Sequence, residues 1–256
     1  MDAVIVERRE GVAVVRLNQP GSMNALSPEI KAGLEACLGS LMEDAGVGCV
    51  VLTGTGKAFC AGGDIRAMSD RRPLAVRSRL RVGHRWVRQL IEGEKPVVAA
   101  VNGAVAGAGL SLLLMCDVVI AARSVTIRGG FAGIGAAPDL AVAYTLPRAV
   151  GTVRAKEILI NGRVLTADEA LSFGLVGQVV DDGALMDQAL ATAQRLASGP
   201  LSLGLAKTLL NRAYDGGLDL FLQREAEVQA VAFSSDDFAE GVDAFLAKRR
   251  PRFGRT

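Results

Sequence analysis

Across residues 97–122 the sequence is almost unbroken hydrocarbon: only Asn102, Ser111 and Asp117 are polar, with glycines at 103, 107 and 109. A bilayer span needs about 20 apolar residues, so the run is long enough to cross one. Its internal punctuation argues otherwise. Asn102-Gly103 is a turn signal, the glycines interrupt any long helix, and Asp117 is an acid set among apolar neighbours. The stretch therefore reads as strand, turn, helix and strand inside a protein core, and it excludes a membrane span.

Val97–Val101 and residues 118–121 are β-branched and apolar on both faces, as is 49–52, and helical or irregular sequence separates them. Strands of that kind belong to a parallel sheet covered on both sides, so the fold class is α/β, built from repeated β-then-α units. Residues 3–7 and Val12–Leu17, around Arg9-Glu10-Gly11, form an opening hairpin. Ser27-Pro28-Glu29 announces a helix by its cap, its Pro at the first helical position and its acidic first turn, and Ile30, Leu34, Cys37, Leu38 and Leu41 share one face. After Thr166 the pattern is mainly helical, over 167–173, 184–197, 201–214, Leu218–Phe233 and 236–248, with one strand at 176–180.

Half of the 256 residues are hydrophobic, enough for one sizeable core, and a net charge of +2 gives no general pull toward nucleic acid or anionic lipid. An anionic partner must therefore be held by a local patch. The cysteines at 37, 49, 60 and 116 lie far apart without CxxC spacing, and read as small buried hydrophobes with no metal site. Residues 1–10 are charged and lack an apolar signal core, which makes the cytoplasm the expected location. The Arg-rich stretch 66–88, interrupted by Pro73 and Gly83, reads as a mobile, solvated lid. His84 within it, the one histidine, reads as ordinary.

Two loops draw attention as candidate chemistry. Gly56-Lys57-Ala58-Phe59-Cys60-Ala61-Gly62-Gly63-Asp64-Ile65 follows the strand 49–52, and its small residues allow either a plain glycine turn or a close backbone approach to a ligand oxygen. Asn102-Gly103-Ala104-Val105-Ala106-Gly107-Ala108-Gly109-Leu110 leads from a buried strand into an apolar helix whose first N–H groups suit a developing negative charge. One donor from each loop would make an oxyanion hole.

Phe59-Cys60-Ala61-Gly62-Gly63-Asp64, Asn102-Gly103 with Ala106-Gly107-Ala108-Gly109, Pro138-Asp139 with Leu146-Pro147-Arg148, Thr166-Ala167-Asp168-Glu169-Ala170, Gly174-Leu175-Val176, and Glu240-Gly241 through Phe245, Lys248-Arg249 and Phe253 occur in that order. The chain thereby resembles the crotonase (enoyl-CoA hydratase/isomerase) superfamily over nearly its whole length. The resemblance implies a spiral of ββα units over residues 1–195, a helical C-terminal region over 196–256 used in assembly, and a homotrimer or hexamer. It implies an acyl-CoA thioester as substrate, coenzyme A arriving as part of that substrate and no separate cofactor. By position, the hole donors are the N–H groups of Gly63 and Ala108. Substrate contacts are implied for Ala25 and Leu26 of Asn24-Ala25-Leu26, for Ala61, Asp64 and Ile65, for Gly107 and Phe131, and for Lys248. The last would pair with nucleotide phosphates; the same basic run, 248–250, also reads as a solvated tail.

Hydratases of this family hold and activate water with two glutamates, and the matching positions here are Ser111 and Phe131. Neither supplies a carboxylate base. Ser111 lacks a G-x-S-x-G setting and reads as a packed small polar residue rather than a nucleophile. The acid in the right region is Asp139. Chemistry alone also allows it to be a helix N-cap, while the resemblance places the working carboxylate of some isomerases and dehalogenases there. The expectation is a double-bond shift in an enoyl-CoA, with Asp139 moving the proton and its carboxyl pKa raised by apolar surroundings that include Phe131 and Ile134. The alternatives are a hydratase with an atypical site, a hydrolase or dehalogenase with Asp139 as nucleophile, and a coenzyme A-binding protein without catalysis.

Overall fold

The computed structural model describes residues 2–254; Met1, Arg255 and Thr256, at the outer ends of the two expected regions, lie outside the described residues. The chain opens with the hairpin β1 (Val4–Arg9) and β2 (Val12–Leu17), then α1 (Pro28–Glu43). Three strand pairs follow, each leading to a helix: β3 (Cys49–Gly54) and β4 (Ala58–Cys60) to α2 (Pro73–Glu92), β5 (Val97–Val101) and β6 (Ala104–Ala106) to α3 (Ala108–Leu113), β7 (Val118–Ala122) and β8 (Thr126–Arg128) to α4 (Val142–Val150). After α5 (Thr152–Leu159) come β9 (Val164–Thr166), α6 (Ala167–Ser172), β10 (Gln178–Val180), α7 (Leu185–Ala197), α8 (Ser202–Asn211), α9 (Leu218–Phe233) and α10 (Asp236–Leu246).

The first strand of each pair enters one sheet and the second enters another. The larger sheet has the order β1-β2-β3-β5-β7-β10 and the smaller β4-β6-β8-β9. From β2 onward the larger sheet is parallel, and β4, β6 and β8 run parallel in the smaller. The repeat is thus ββα rather than the simple βα unit read from residue pattern, and it winds as a spiral. The second strands had read as loop because each is three residues long and rich in alanine or glycine neighbours, below the length at which alternation is visible.

Residue type explains the sheet's burial. β3 and β5 are buried at every position, as their two-sided apolar character required. α1 begins as its sequence announced: Ser27 Oγ accepts the Ile30 N–H at 3.2 Å, Pro28 is the first helical residue, and Ile30, Leu34, Leu38 and Leu41 face inward. Asp117 closes the long apolar run by accepting the Val97 N–H at 2.7 Å and pairing with Lys207 Nζ of α8 at 2.8 Å. Lys207 also donates to the Lys95 carbonyl at 3.0 Å, so one buried cation fastens the helical C-terminal region to the sheet. All four cysteines are free thiols, and burial pushes the Cys60 thiol up to about 12.

The stretch 66–88 differs from the expected lid. Pro73 begins α2, and the helix continues unbroken through Gly83 to Glu92. Gly83 is buried, and a Cβ added there would lie in ordinary contact with Leu140 Cδ2, at 3.6 Å; the glycine sits on a packed face and does not break the helix. The arginines of α2 that read as a flexible run are the solvated face of an amphipathic helix, with Arg85 paired to Glu35 of α1 at 2.7 Å. In the C-terminal region α9 buries none of its residues, and Leu220, Leu222, Phe233, Phe245 and Leu246 stand exposed. No helix among the described residues is long and apolar enough to cross a membrane.

Candidate active site

β4 and β6 lie side by side and parallel, Ala58 opposite Ala104 and Cys60 opposite Val105. The chain leaves both in the same direction, so residues 61–64 and 107–109 emerge next to each other. Gly62 has φ +110°, and a Cβ there would sit 3.0 Å from the Ala106 oxygen and 3.6 Å from the Ala108 nitrogen. Gly107 has φ +51° and ψ −126°, outside the basins open to residues with a Cβ, and it turns the chain so that α3 starts at Ala108 with no side-chain cap. Among the described residues neither the Gly63 nor the Ala108 N–H donates a hydrogen bond. Two free main-chain donors therefore stand on touching loops, at the ends of the second strands of their units rather than the first strands from which they had been read.

A third segment crosses this pair. Leu26 N–H donates to the Gly62 carbonyl at 2.7 Å and Ala61 N–H to the Met23 carbonyl at 3.0 Å, so residues 23–26 run alongside the first loop. Asn24 holds the crossing from within: fully buried, it donates to the Thr55 and Ala58 carbonyls at 2.9 and 2.8 Å and accepts from Gln19 N–H at 2.9 Å. Leu26 is fully buried, and its backbone is taken up in pairing with the first loop, whereas Ala25 and Ala61 are half-buried. Asp64 caps a short 3-10 turn through Arg66 N–H at 3.0 Å, and Ile65 beside it is exposed. Phe131 is buried. Lys248 is exposed just past α10 with φ +52°, and among the described residues no side-chain hydrogen bond or ion pair ties it to these loops.

Asp139 does not cap a helix. α4 begins three residues later at Val142, with Ala141 as the residue before it and no side-chain cap. Leu140 and Ala141, at φ +49° and +65°, carry the chain from Asp139 into the helix through two consecutive left-handed residues, a route that moves the carboxyl away from the helix end. Asp139 Oδ1 is buried without a hydrogen-bond partner. Burial raises this carboxyl above the ordinary carboxylate range, while the Lys31 ammonium, its own backbone N–H and His84 pull it back down. Desolvation was expected; Ile134, offered as one source of it, is 55% exposed and contributes little.

Two neighbours escaped the sequence. Lys31, in the first turn of α1, belongs to no motif. The pairing of Leu26 with Gly63 brings that turn over the site, where burial lowers the Lys31 ammonium and Asp139 and Asp64 sustain it. His84, read as ordinary, is exposed on α2 yet close enough to Asp139 to stabilise its anion. No local pattern signals either residue, because both arrive through contacts between distant segments.

The arrangement can stabilise a negative charge on a carbonyl oxygen and move a proton beside it. A family model described as Enoyl-CoA hydratase/isomerase matches residues 7–256. The 1,2-epoxyphenylacetyl-CoA isomerase of Escherichia coli (strain K12) is 40% identical over 261 residues, covering 99% of this chain and 98% of that protein. The short-chain-enoyl-CoA hydratase of Clostridium acetobutylicum is 34% identical over 252 residues, covering 98% of this chain and 97% of that protein. Among solved structures, enoyl-CoA hydratase from Bacillus anthracis superposes with a TM-score of 0.93 at 31% identity, covering 99% of this chain and 100% of that one. The enoyl-CoA hydratase/isomerase from Cupriavidus metallidurans CH34 gives 0.93 at 33% identity, covering 98% and 96%.

Proposed function

Because the chain belongs to the enoyl-CoA hydratase/isomerase family and has the crotonase fold, we propose that it is an isomerase that shifts a double bond of an enoyl-CoA, with Asp139 as the proton carrier. One observation carries this reading: the Asp139 Oδ1 is a buried acceptor without a partner, and its peptide is bonded through Ser111 to the short helix that begins at Ala108, whose N–H is free. Ser111 and Phe131, at the positions where the family's hydratases carry their glutamates, supply no acid to hold a water.

The thioester oxygen sits between the Gly63 and Ala108 N–H groups. Asp139 removes a proton from the carbon next to the thioester, and the electron pair spreads into a dienolate whose oxygen charge the two donors stabilise. A donor of this kind is worth about 10²–10³ in rate. The same carboxyl returns the proton two carbons further along, giving the conjugated product. A carboxyl raised by burial is a stronger base than a solvated one, and the Lys31 ammonium favours its ionised form.

The coenzyme A portion would lie along residues 25–26, 61 and 64–65, with Lys248 for its phosphates. The exposed apolar faces of α9 and α10 support assembly into a trimer or hexamer. A second reading concerns the acyl group, since the Escherichia coli relative is named for 1,2-epoxyphenylacetyl-CoA. That thioester is the second substrate to test.

The test is conversion of a short 3-enoyl-CoA to its 2-enoyl isomer, followed by ultraviolet absorbance, with hydration of crotonyl-CoA run in parallel. Wild type is expected to isomerise, and Asp139→Asn to lose about a hundredfold or more, as removal of an acid/base does. An Asn variant within a few-fold of wild type, or a wild type that only hydrates, defeats the reading.

A further inference from the structure

Ser111 is fully buried on α3, three residues after Ala108, and its hydroxyl donates to the main-chain carbonyl of Asp139 at 3.0 Å. The Asp139 carbonyl otherwise accepts only the Val142 N–H, at 3.2 Å, among the described residues. Immediately beyond it lie the two left-handed residues Leu140 and Ala141, a conformation that side chains with a Cβ disfavour and that persists only where surroundings impose it. The Leu140 side chain is buried and lies beside Gly83 of α2, 3.6 Å from where a Cβ there would stand. The strained bend is therefore held from two sides: by a hydroxyl from α3 and by packing against α2.

The grip has a reason in the side chain it carries. An acceptor that must take and return a proton is left unpartnered at Oδ1, so no hydrogen bond at that atom aims it. Its direction is set by the peptide it hangs from. We propose that Ser111 is a positioning residue, whose hydroxyl fixes the Asp139 peptide and ties the carboxyl to the same short helix that begins with the Ala108 N–H. Proton carrier and hole donor then keep one separation, because three residues of a single helix connect them. A serine at this place does what a glutamate there could not: it holds the loop without adding a second carboxylate beside Asp139, where like charges oppose each other's ionisation.

The inference rests on the reading of Asp139 as proton carrier, and the experiment separates the two. Turnover, KM, the pH dependence of turnover and thermal melting are measured for wild type, Ser111→Ala, Ser111→Thr and Asp139→Asn with the same 3-enoyl-CoA. Lys31 from α1 and His84 from α2, the charged and titratable groups facing Asp139, are unchanged throughout. Ser111→Ala is expected to melt close to wild type, to keep KM within about twofold and to lose about ten- to a hundredfold in kcat, the scale of an ångström-sized misplacement. Its acid limb should move to lower pH, because a loosened loop admits water to the carboxyl and removes part of the desolvation that raises it. Ser111→Thr keeps a hydroxyl and should restore most of the turnover. Wild-type kcat and pH profile in Ser111→Ala, beside an inactive Asp139→Asn, overturn the positioning role alone. A loss of kcat that only follows a loss of folded protein, with the pH profile unmoved, overturns it too, making the bond structural. An active Asp139→Asn overturns the reading beneath it.

Discussion

Gly109 offers a sharp test of whether the main chain of α3 does chemistry. It follows Ala108 directly, and a Cβ added to it would sit 2.0 Å from the Cys60 carbonyl oxygen, 2.8 Å from the carbonyl carbon and 3.0 Å from the Cys60 Cβ. The obstacle is backbone of β4, not a side chain that can swing aside. In Gly109→Ala, α3 and β4 must separate by about 1.4 Å to restore ordinary contact, and the Ala108 N–H moves with the helix. Overpacking of this kind costs about 1–3 kcal/mol in stability, a fall of a few degrees to about 10 °C in Tm for a chain of this size. The effect on rate should be larger, since an ångström of misplacement is worth about 10²-fold. The assay is isomerisation at 25 °C on protein shown folded by circular dichroism, with Gly183→Ala as control, where an added Cβ meets nothing within 4 Å. A folded Gly109→Ala enzyme turning over within threefold of wild type would refute the assignment of the Ala108 N–H to the hole.

Lys31→Met removes the cation that most strongly opposes the burial of Asp139. The neutral carboxyl is then favoured further, its pKa rises, and the acid limb of the kcat profile should move to higher pH; an unmoved limb means that Lys31 does not act on the reacting carboxyl. Lys207→Met leaves Asp117 without its cation in a site where the lysine side chain is 5% and the aspartate side chain 23% exposed; breaking a fully buried pair costs about 3–5 kcal/mol, and the solvent access of Asp117 sets this loss below that range. Burial already raises the Asp117 carboxyl, and losing Lys207 raises it more. The folded variant then binds a proton more tightly than the unfolded chain, so stability is fullest below the unfolded pKa and falls as pH rises through the folded one. Melts at acid and neutral pH should show the deficit shrinking toward acid, and a deficit equal at both excludes Asp117 as its source.

The fold was legible where one short segment carries its own signal. Ser27-Pro28-Glu29 started α1 where it stands, and the helical pattern from 167 begins α6 at Ala167, whereas Asp117, which its apolar neighbours marked as buried, keeps 23% of its side chain exposed and is answered by Lys207. The smaller sheet was hidden because its strands are too short for a period to show. α2 was hidden because Pro73 and Gly83 are breakers by composition, yet one occupies the first turn, where proline is tolerated, and the other a packed face. At the site, motif order pointed to the two small-residue loops, which the pairing of β4 with β6 brings together, and to Asp139, whose Oδ1 is buried without a partner. The bend after Asp139 was not legible, since Leu140-Ala141 carries no glycine to advertise left-handed geometry. Nor was the place of Lys31, which depends on a Leu26–Gly63 pairing that neither residue encodes alone.

The proposed hole takes both of its donors from the backbone, and that has an evolutionary consequence. A donor that is not a side chain cannot be deleted by a coding change at its own position; it is lost when a neighbour gains bulk. Gly62, Gly107 and Gly109, which do no chemistry, should therefore be the positions where even alanine is purged. Positions 111, 131 and 139, which on the proposed reading decide what is done with the stabilised charge, should by contrast be open to exchange. A lineage built this way inherits its electrostatics as architecture and revises its reagents one codon at a time.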